Sequence, residues 1–324
     1  MKWLALSLAF VFALGAAMPL GAQVAGAGRA VAIPPTLADV AYGSHPKQVL
    51  HFWKAKSERP APLLFFIHGG GWVAGHRLST LEGMLPEILK AGISVVSIEY
   101  RFVTEAMLAK VSPPLQWPLE DAARALQFVR TKAAEWNIDK ARIAASGSSA
   151  GGCTSLWLAF HDDMADPTSA NPVARESTRL LCAAVDRAQT TLDPQQMKEW
   201  TPNSDYGGHA FGFMPDPHDL KTRDTQFPQF LAARESLLPW IQRYSPIAHV
   251  TKDDPPVYLL YTTPPAMGKD DAEARHSANF GVPLLEGLML DPLVESGRHE
   301  FLFIASPLPI VGATGSPLAP VAVL

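Results

Sequence analysis

Only two cysteines, Cys153 and Cys182, occur in the 324 residues, so no disulfide framework organises the chain. Both stand in apolar surroundings and read as small core residues. Runs of lysine and arginine are absent and the formal net charge is −4, which removes the general attraction that a nucleic-acid binder needs. There is no internal repeat, no phosphate-binding glycine loop and no metal-ligand spacing, so neither a metal nor a cofactor is expected. His161-Asp162-Asp163 has the composition of a ligand cluster, but adjacent helical positions do not face one point, and it reads as a solvated helix end. Membrane-length apolar runs are lacking too. The run Trp3–Leu14 is short for a span; it follows Lys2 and precedes small residues. That is the pattern of an export signal over residues 1–27, cut between 17 and 27, with Ala25-Gly26-Ala27 one fitting site. An exported protein without a stable membrane span after processing is expected. Charge runs out at the other end: after Glu300 there is no Asp, Glu, Lys or Arg, and residues 302–324 are rich in proline and alanine.

What the chain does hold is apolar residues, 48% of the total, enough for one large α/β core. Short alternating segments between Ala38 and Ala55, such as Val49-Leu50-His51-Phe52-Trp53, suit opening antiparallel strands. Leu63–Ile67, Ile93–Tyr100, Arg142–Ala145, Leu180–Val185 and Pro256–Tyr261 are brief, mostly apolar runs of the kind buried on both faces of a parallel sheet. Helical patterns lie over Ser79–Ala91, Leu119–Trp136, Cys153–Phe160 and Ala272–Leu290. Strand and helix alternating at this spacing predict a mostly parallel central sheet flanked by helices. Residues 200–246 differ in texture. Trp200, Tyr206, Phe211, Phe213, Phe227, Phe230, Trp240 and Tyr244 stand there among Gly, Pro and His. The stretch reads as an inserted cap, whose aromatics either line a pocket or pack the cap onto the sheet.

The chain is organised around Gly147-Ser148-Ser149-Ala150-Gly151-Gly152. Gly-x-Ser-x-Gly on a sharp strand-to-helix turn pushes the hydroxyl of Ser149 out at the carboxyl edge of a sheet, and Gly147 and Gly151 allow the close packing that the turn requires. A serine so placed is a candidate nucleophile for acyl transfer. Esters and amides resist water because it is a poor nucleophile and the tetrahedral oxyanion is costly. Donors for that oxyanion are at hand. His68-Gly69-Gly70-Gly71-Trp72 directly follows the strand Leu63–Ile67, and residues without Cβ let backbone N–H groups approach a substrate. The N–H of Ala150, next after the serine, adds another.

These motifs, together with Tyr100-Arg101 and with Asp139 ahead of Arg142-Ile143, come in an order and at intervals that carry a resemblance. From about Ala38 to Gly281 the chain resembles the α/β-hydrolases, in particular the esterase and lipase branch that includes hormone-sensitive-lipase-like carboxylesterases and secreted carbohydrate esterases. Ser148 stands where that family usually has Asp, a position that does not carry the chemistry. The resemblance implies an α/β-hydrolase domain over 28–301, with the cap at 200–246. It implies Ser149 as nucleophile, Gly70, Gly71 and Ala150 as oxyanion hole, and His68 as a brace for the loop. The chain order Ser, acid, base then points to Asp271, or its neighbour Asp270, beyond the strand ending at Tyr261. The base would be His299, with His276 the alternative. Asp270 and Asp271 equally suit the first turn of a helix, and Asp121 and Arg101 read as loop-fixing. The implied activity is hydrolysis of small-molecule carboxylic esters through an acyl-enzyme, on small to medium acyl groups, acylated carbohydrates among them. A serine peptidase is the alternative among enzymes. The charge-free carboxyl end also admits a hydrolase-fold protein that binds ligands without turnover.

Overall fold

A computed structural model of the chain describes residues 33–78, 81, 83–201 and 205–260, and the backbone of 302–307 and 318–323. The expected export signal, the helix read at Ala272–Leu290, and Asp270, Asp271, His276 and His299 lie outside those residues. Seven of the described strands form one sheet: β1 (Leu37–Ala41), β2 (Val49–Trp53), β3 (Ala61–Ile67), β4 (Ser94–Ile98), β5 (Ile138–Ser148), β6 (Cys182–Asp186) and β7 (Val257–Leu260). Their spatial order is β1-β2-β4-β3-β5-β6-β7. The β1–β2 and β2–β4 pairs are antiparallel, and the pairs from β4 onward to β7 are parallel. This is the expected mostly parallel α/β-hydrolase sheet.

Strand alternation sends side chains to opposite faces, and here both faces are covered. Leu63, Phe65 and Ile67 of β3, with Val96 and Ile98 of β4, join the large core against α3 (Gln116–Thr131) and α5 (Ala150–Phe160). Leu64, Phe66 and Val95 point the other way, onto Leu85 and Ile88 of α1 (Leu85–Lys90). Two-sided burial is why these strands are nearly unbroken apolar runs in the sequence.

Some boundaries differ from the sequence reading. Among the described residues, the helix expected over Ser79–Ala91 covers Leu85–Lys90, because Pro86, lacking an N–H, fits only a first turn. The helix α2 (Val103–Leu108) follows β4. The helix read over Leu119–Trp136 is two pieces, α3 and α4 (Ala133–Trp136), because the N–H of Lys132 turns to the Val129 carbonyl three residues back (3.0 Å). Strand β5 begins at Ile138, well before Arg142, since Ala61 pairs with Ile138 across an irregularity before Leu63 meets Ile143. The tail carries an antiparallel backbone pair, β8 (Leu302–Pro307) with β9 (Leu318–Val323).

The described part of 200–246 holds no strand of the sheet. It follows α6 (Pro194–Trp200) with 3₁₀ turns and then α7 (Phe227–Ala232) and α8 (Arg234–Tyr244). Phe211 stacks on Phe230 (ring centroids 5.2 Å), and Phe227 meets Phe230 edge to face, all three buried. These aromatics pack the cap down, whereas Tyr206 and His209 turn toward the loop after β3. No described helix is long and apolar enough to cross a membrane.

Candidate active site

Ser149 sits between β5 and α5 with φ 53° and ψ −122°, a backbone state that L-residues rarely adopt. Two hydrogen bonds hold it there: its N–H donates to the Asp186 carbonyl (2.9 Å), and its own carbonyl accepts from the N–H of Cys153 (2.8 Å). The turn is possible only because the chain behind it can come close. A Cβ on Gly151 would lie 2.1 Å from the Ile67 carbonyl oxygen and 2.6 Å from that of His68. The end of β3 therefore rests directly on the first turn of α5. Ser149 is half-buried at the carboxyl edge of the sheet, at the positive end of the α5 dipole.

The loop His68–Trp72 lies against this elbow, since a Cβ on Gly69 would be 2.6 Å from the Ser148 carbonyl oxygen. Its carbonyls are anchored one after another. The Gly69 carbonyl faces His68 Nδ1 at 2.7 Å. The Gly70 carbonyl accepts from the N–H groups of Val73 (3.1 Å) and Ala74 (3.0 Å). The Gly71 carbonyl faces Nε2 of His209, a cap residue with no solvent exposure, at 2.9 Å. A trans peptide is planar, with its N–H opposite its C=O. Fixing the Gly69 and Gly70 carbonyls therefore fixes the N–H groups of Gly70 and Gly71, and neither donates to any described group. Gly70 sits at φ 107°, and a Cβ there would lie 2.0 Å from the Ala74 carbonyl oxygen, so only glycine allows this course of the loop. Trp72 locks the far end: its indole N–H donates to Thr154 Oγ1 (3.0 Å), whose hydroxyl donates to the Ala150 carbonyl (2.8 Å).

His68 is fully buried, stacked on Tyr100 at 4.3 Å, with Nε2 3.0 Å from Glu99 Oε1. Burial works against the Glu99 carboxylate, but the hydrogen bond and charge of His68 outweigh it and hold the carboxyl below its ordinary range. Arg101 and Asp121 are indeed tied together, through Arg101 Nε and Nη2 (2.6 Å to Asp121 Oδ1). Cys153, one turn beyond Ser149, is fully buried, and burial pushes its thiol far up, so it offers no second nucleophile. His161 caps the end of α5 against Trp157 and His249 (ring centroids 4.8 and 4.7 Å). No group of three or more His, Cys, Asp or Glu among the described residues could hold a metal.

Several residues around the site were not singled out in the sequence. Asp186, at the end of β6, accepts from Ser148 Oγ (3.1 Å) and from Arg187 Nε (3.0 Å). Glu99, next to the Tyr100-Arg101 motif, could have been found from its place at the end of a buried strand. His209, Arg223 and Asp224 could not, because they reach the loop only through the folding of the cap. His209 Nδ1 lies 3.4 Å from Asp224 Oδ1; burial, foremost, lowers the pKa of this imidazole, against the pull of Asp224.

The BD-FAE family model matches residues 51–265. Among curated proteins the chain is similar to esterase LipC of Mycobacterium tuberculosis, with 27% identity over 68% of this chain and 49% of that protein. It is also similar to the probable carboxylic ester hydrolase LipM of the same organism, with 26% identity over 69% of this chain and 46% of that protein. The chain thus spans about half the length of the curated relatives it matches. Among solved structures, Thermogutta terrifontis esterase 2 phosphonylated by sarin aligns with a TM-score of 0.50 and 21% identity, over 68% of this chain and 70% of that one. At that identity the likeness speaks for the fold.

Proposed function

The chain belongs to the BD-FAE family, and on that premise we propose that it is a carboxylic-ester hydrolase working through an acyl-enzyme on Ser149. One observation carries the reading: a serine on a strained elbow beside a loop in which two N–H groups, unspent among the described residues, are held in place by the anchored carbonyls of their peptides. Ser149 Oγ attacks the ester carbonyl carbon as its proton passes to an imidazole. The tetrahedral oxyanion forms against the N–H groups of Gly70, Gly71 and Ala150. Each such donor is worth about 3 kcal/mol, roughly a hundredfold or more in rate. The imidazolium returns the proton to the leaving alcohol, and water then releases the acid by the same steps. We assign the imidazole to His299 and its orienting carboxylate to Asp271, by chain order, with His276 and Asp270 as the variants that test the assignment. Small to medium acyl esters, acylated carbohydrates among them, are the proposed substrates. Lys2 and the apolar run behind it support export.

Hydrolysis of p-nitrophenyl acetate by wild type and by Ser149→Ala tests the reading. A loss of several orders of magnitude in the variant is expected; equal rates would overturn it. His299→Ala should match that loss, and His276→Ala should not.

A further inference from the structure

The cap places a guanidinium beside the oxyanion loop. Arg223 uses one edge on its neighbour: Nε (2.9 Å) and Nη2 (2.5 Å) both donate to Asp224 Oδ2. Its plane lies over the Tyr206 ring, with Cζ 5.0 Å from the centroid. The remaining nitrogen, Nη1, donates to no described group. It lies 2.9 Å from the point that a Cβ of Gly71 would occupy, with the Tyr206 hydroxyl 3.4 Å from the same point. The Gly71 carbonyl is already engaged by His209, so this edge is not spent on the loop it faces. The side chain keeps 27% of its exposure, which leaves the edge reachable yet sheltered.

We infer that Arg223 forms a subsite for a carboxylate carried by the ester substrate, within a few bonds of the scissile carbonyl. The inference rests on the esterase reading, in which that carbonyl's oxygen sits at the Gly71 N–H. Asp224 neutralises the far edge of the guanidinium, while the near edge presents two N–H donors that meet no acidic side chain among the described residues. Asp224, Tyr206 and His209 are charged or ionisable neighbours coupled to Arg223. A carboxylate there makes charge-assisted hydrogen bonds. A neutral alkyl group would bury the donors without partners, and polar sites of that kind reject the analogue that lacks the acceptor. The guanidinium is held on two sides in advance, by Asp224 and by the ring of Tyr206, so little ordering is left to binding. The carboxylate can sit on the acyl side, as in a dicarboxylic half-ester, or on the alcohol.

Two matched pairs distinguish those sources: 4-nitrophenyl hemiglutarate against 4-nitrophenyl valerate, and 4-carboxyphenyl acetate against phenyl acetate, each with the Ser149→Ala background subtracted. The expected result is a wild-type kcat/KM ratio of charged to neutral ester of tenfold or more in one pair, falling about tenfold in Arg223→Gln and in part in Arg223→Lys. The ratio is internal, so the variant's absolute rate does not matter. Should neither variant fold, competitive inhibition of the wild type decides: glutarate should bind at least tenfold tighter than glutaramide. A wild-type ratio near one in both pairs, a ratio unchanged by Arg223→Gln, or equal inhibition by the two compounds would overturn the subsite while leaving the esterase reading standing. Wild type no faster than Ser149→Ala on any of the four esters would instead remove the esterase reading itself.

Discussion

The backbone at Ser149 makes a stability prediction that is opposite in sign to the usual one. Two variants, Ser149→Ala and Ser149→Gly, both lack the hydroxyl, so both should lose ester hydrolysis and neither can be stabilised by acylation. They differ in what they do at φ 53°, ψ −122°. Alanine keeps the strain of an L-residue in a sparsely populated region, about 1–3 kcal/mol. Glycine relieves it. Glycine also loses more freedom on folding, which costs about 0.5–1 kcal/mol relative to alanine. The hydrogen bonds of the Ser149 N–H and carbonyl are backbone bonds and are common to both variants. The half-buried Cβ that glycine lacks subtracts a further few tenths, a fraction of the ~0.8 kcal/mol of a buried methylene. The net favours glycine by about 1 kcal/mol, or about 1.5–2 °C in Tm for a chain of this length. Urea denaturation of both variants, analysed at equal m-value, measures the difference. At an unstrained position alanine would be the more stable by about 0.5–1 kcal/mol. Finding that order here would refute the strained elbow and with it the outward placement of the hydroxyl.

Gly151→Ala should cost about 3 kcal/mol or more and leave little soluble protein, since its Cβ would strike backbone atoms of Ile67 and His68, at the end of β3 and the start of its loop; Gly83→Ala, with nothing within 4 Å, is the control that should fold normally. His209→Leu removes the donor to the buried Gly71 carbonyl and should cost about 1–3 kcal/mol. It should also lower kcat more than it changes KM, and His209→Gln, whose amide nitrogen reaches where Nε2 stood, should restore most of the loss. Acid should weaken the fold through the same residue. Burial depresses the pKa of His209, and His51 and His161 are shifted the same way. Below about pH 6.5 the unfolded chain takes up protons that these folded imidazoles refuse, so stability falls as pH drops. The urea midpoint of the wild type should therefore fall between pH 7 and 5.5, by more than that of His209→Gln; equal slopes would show that His209 is not held neutral.

The loop at His68–Trp72 shows what a linear sequence can and cannot carry. The Gly69 carbonyl is anchored by the preceding side chain and the Gly70 carbonyl by N–H groups three and four residues on, so both interactions lie within the motif and the two residues that follow it. The same locality made the elbow readable: strand, turn and helix are contiguous, and two-sided burial writes a strand as an apolar run. Breaks inside a continuous pattern were not readable. The pause at Lys132 and the irregularity opposite Ala61 arise from how neighbours pair, and the apolar spacing passes through both. The third anchor, His209 on Gly71, spans 138 positions. Nothing around His209 in the sequence distinguishes it from the other polar residues among the cap's aromatics, and Arg223 and Asp224 are legible only once His209 has been placed. The division has a functional sense. The donors and the nucleophile come from local motifs, which the turn geometry alone sustains. The cap residues that touch the loop come from far along the chain, where a change of side chain can alter which ester is accepted without disturbing the elbow.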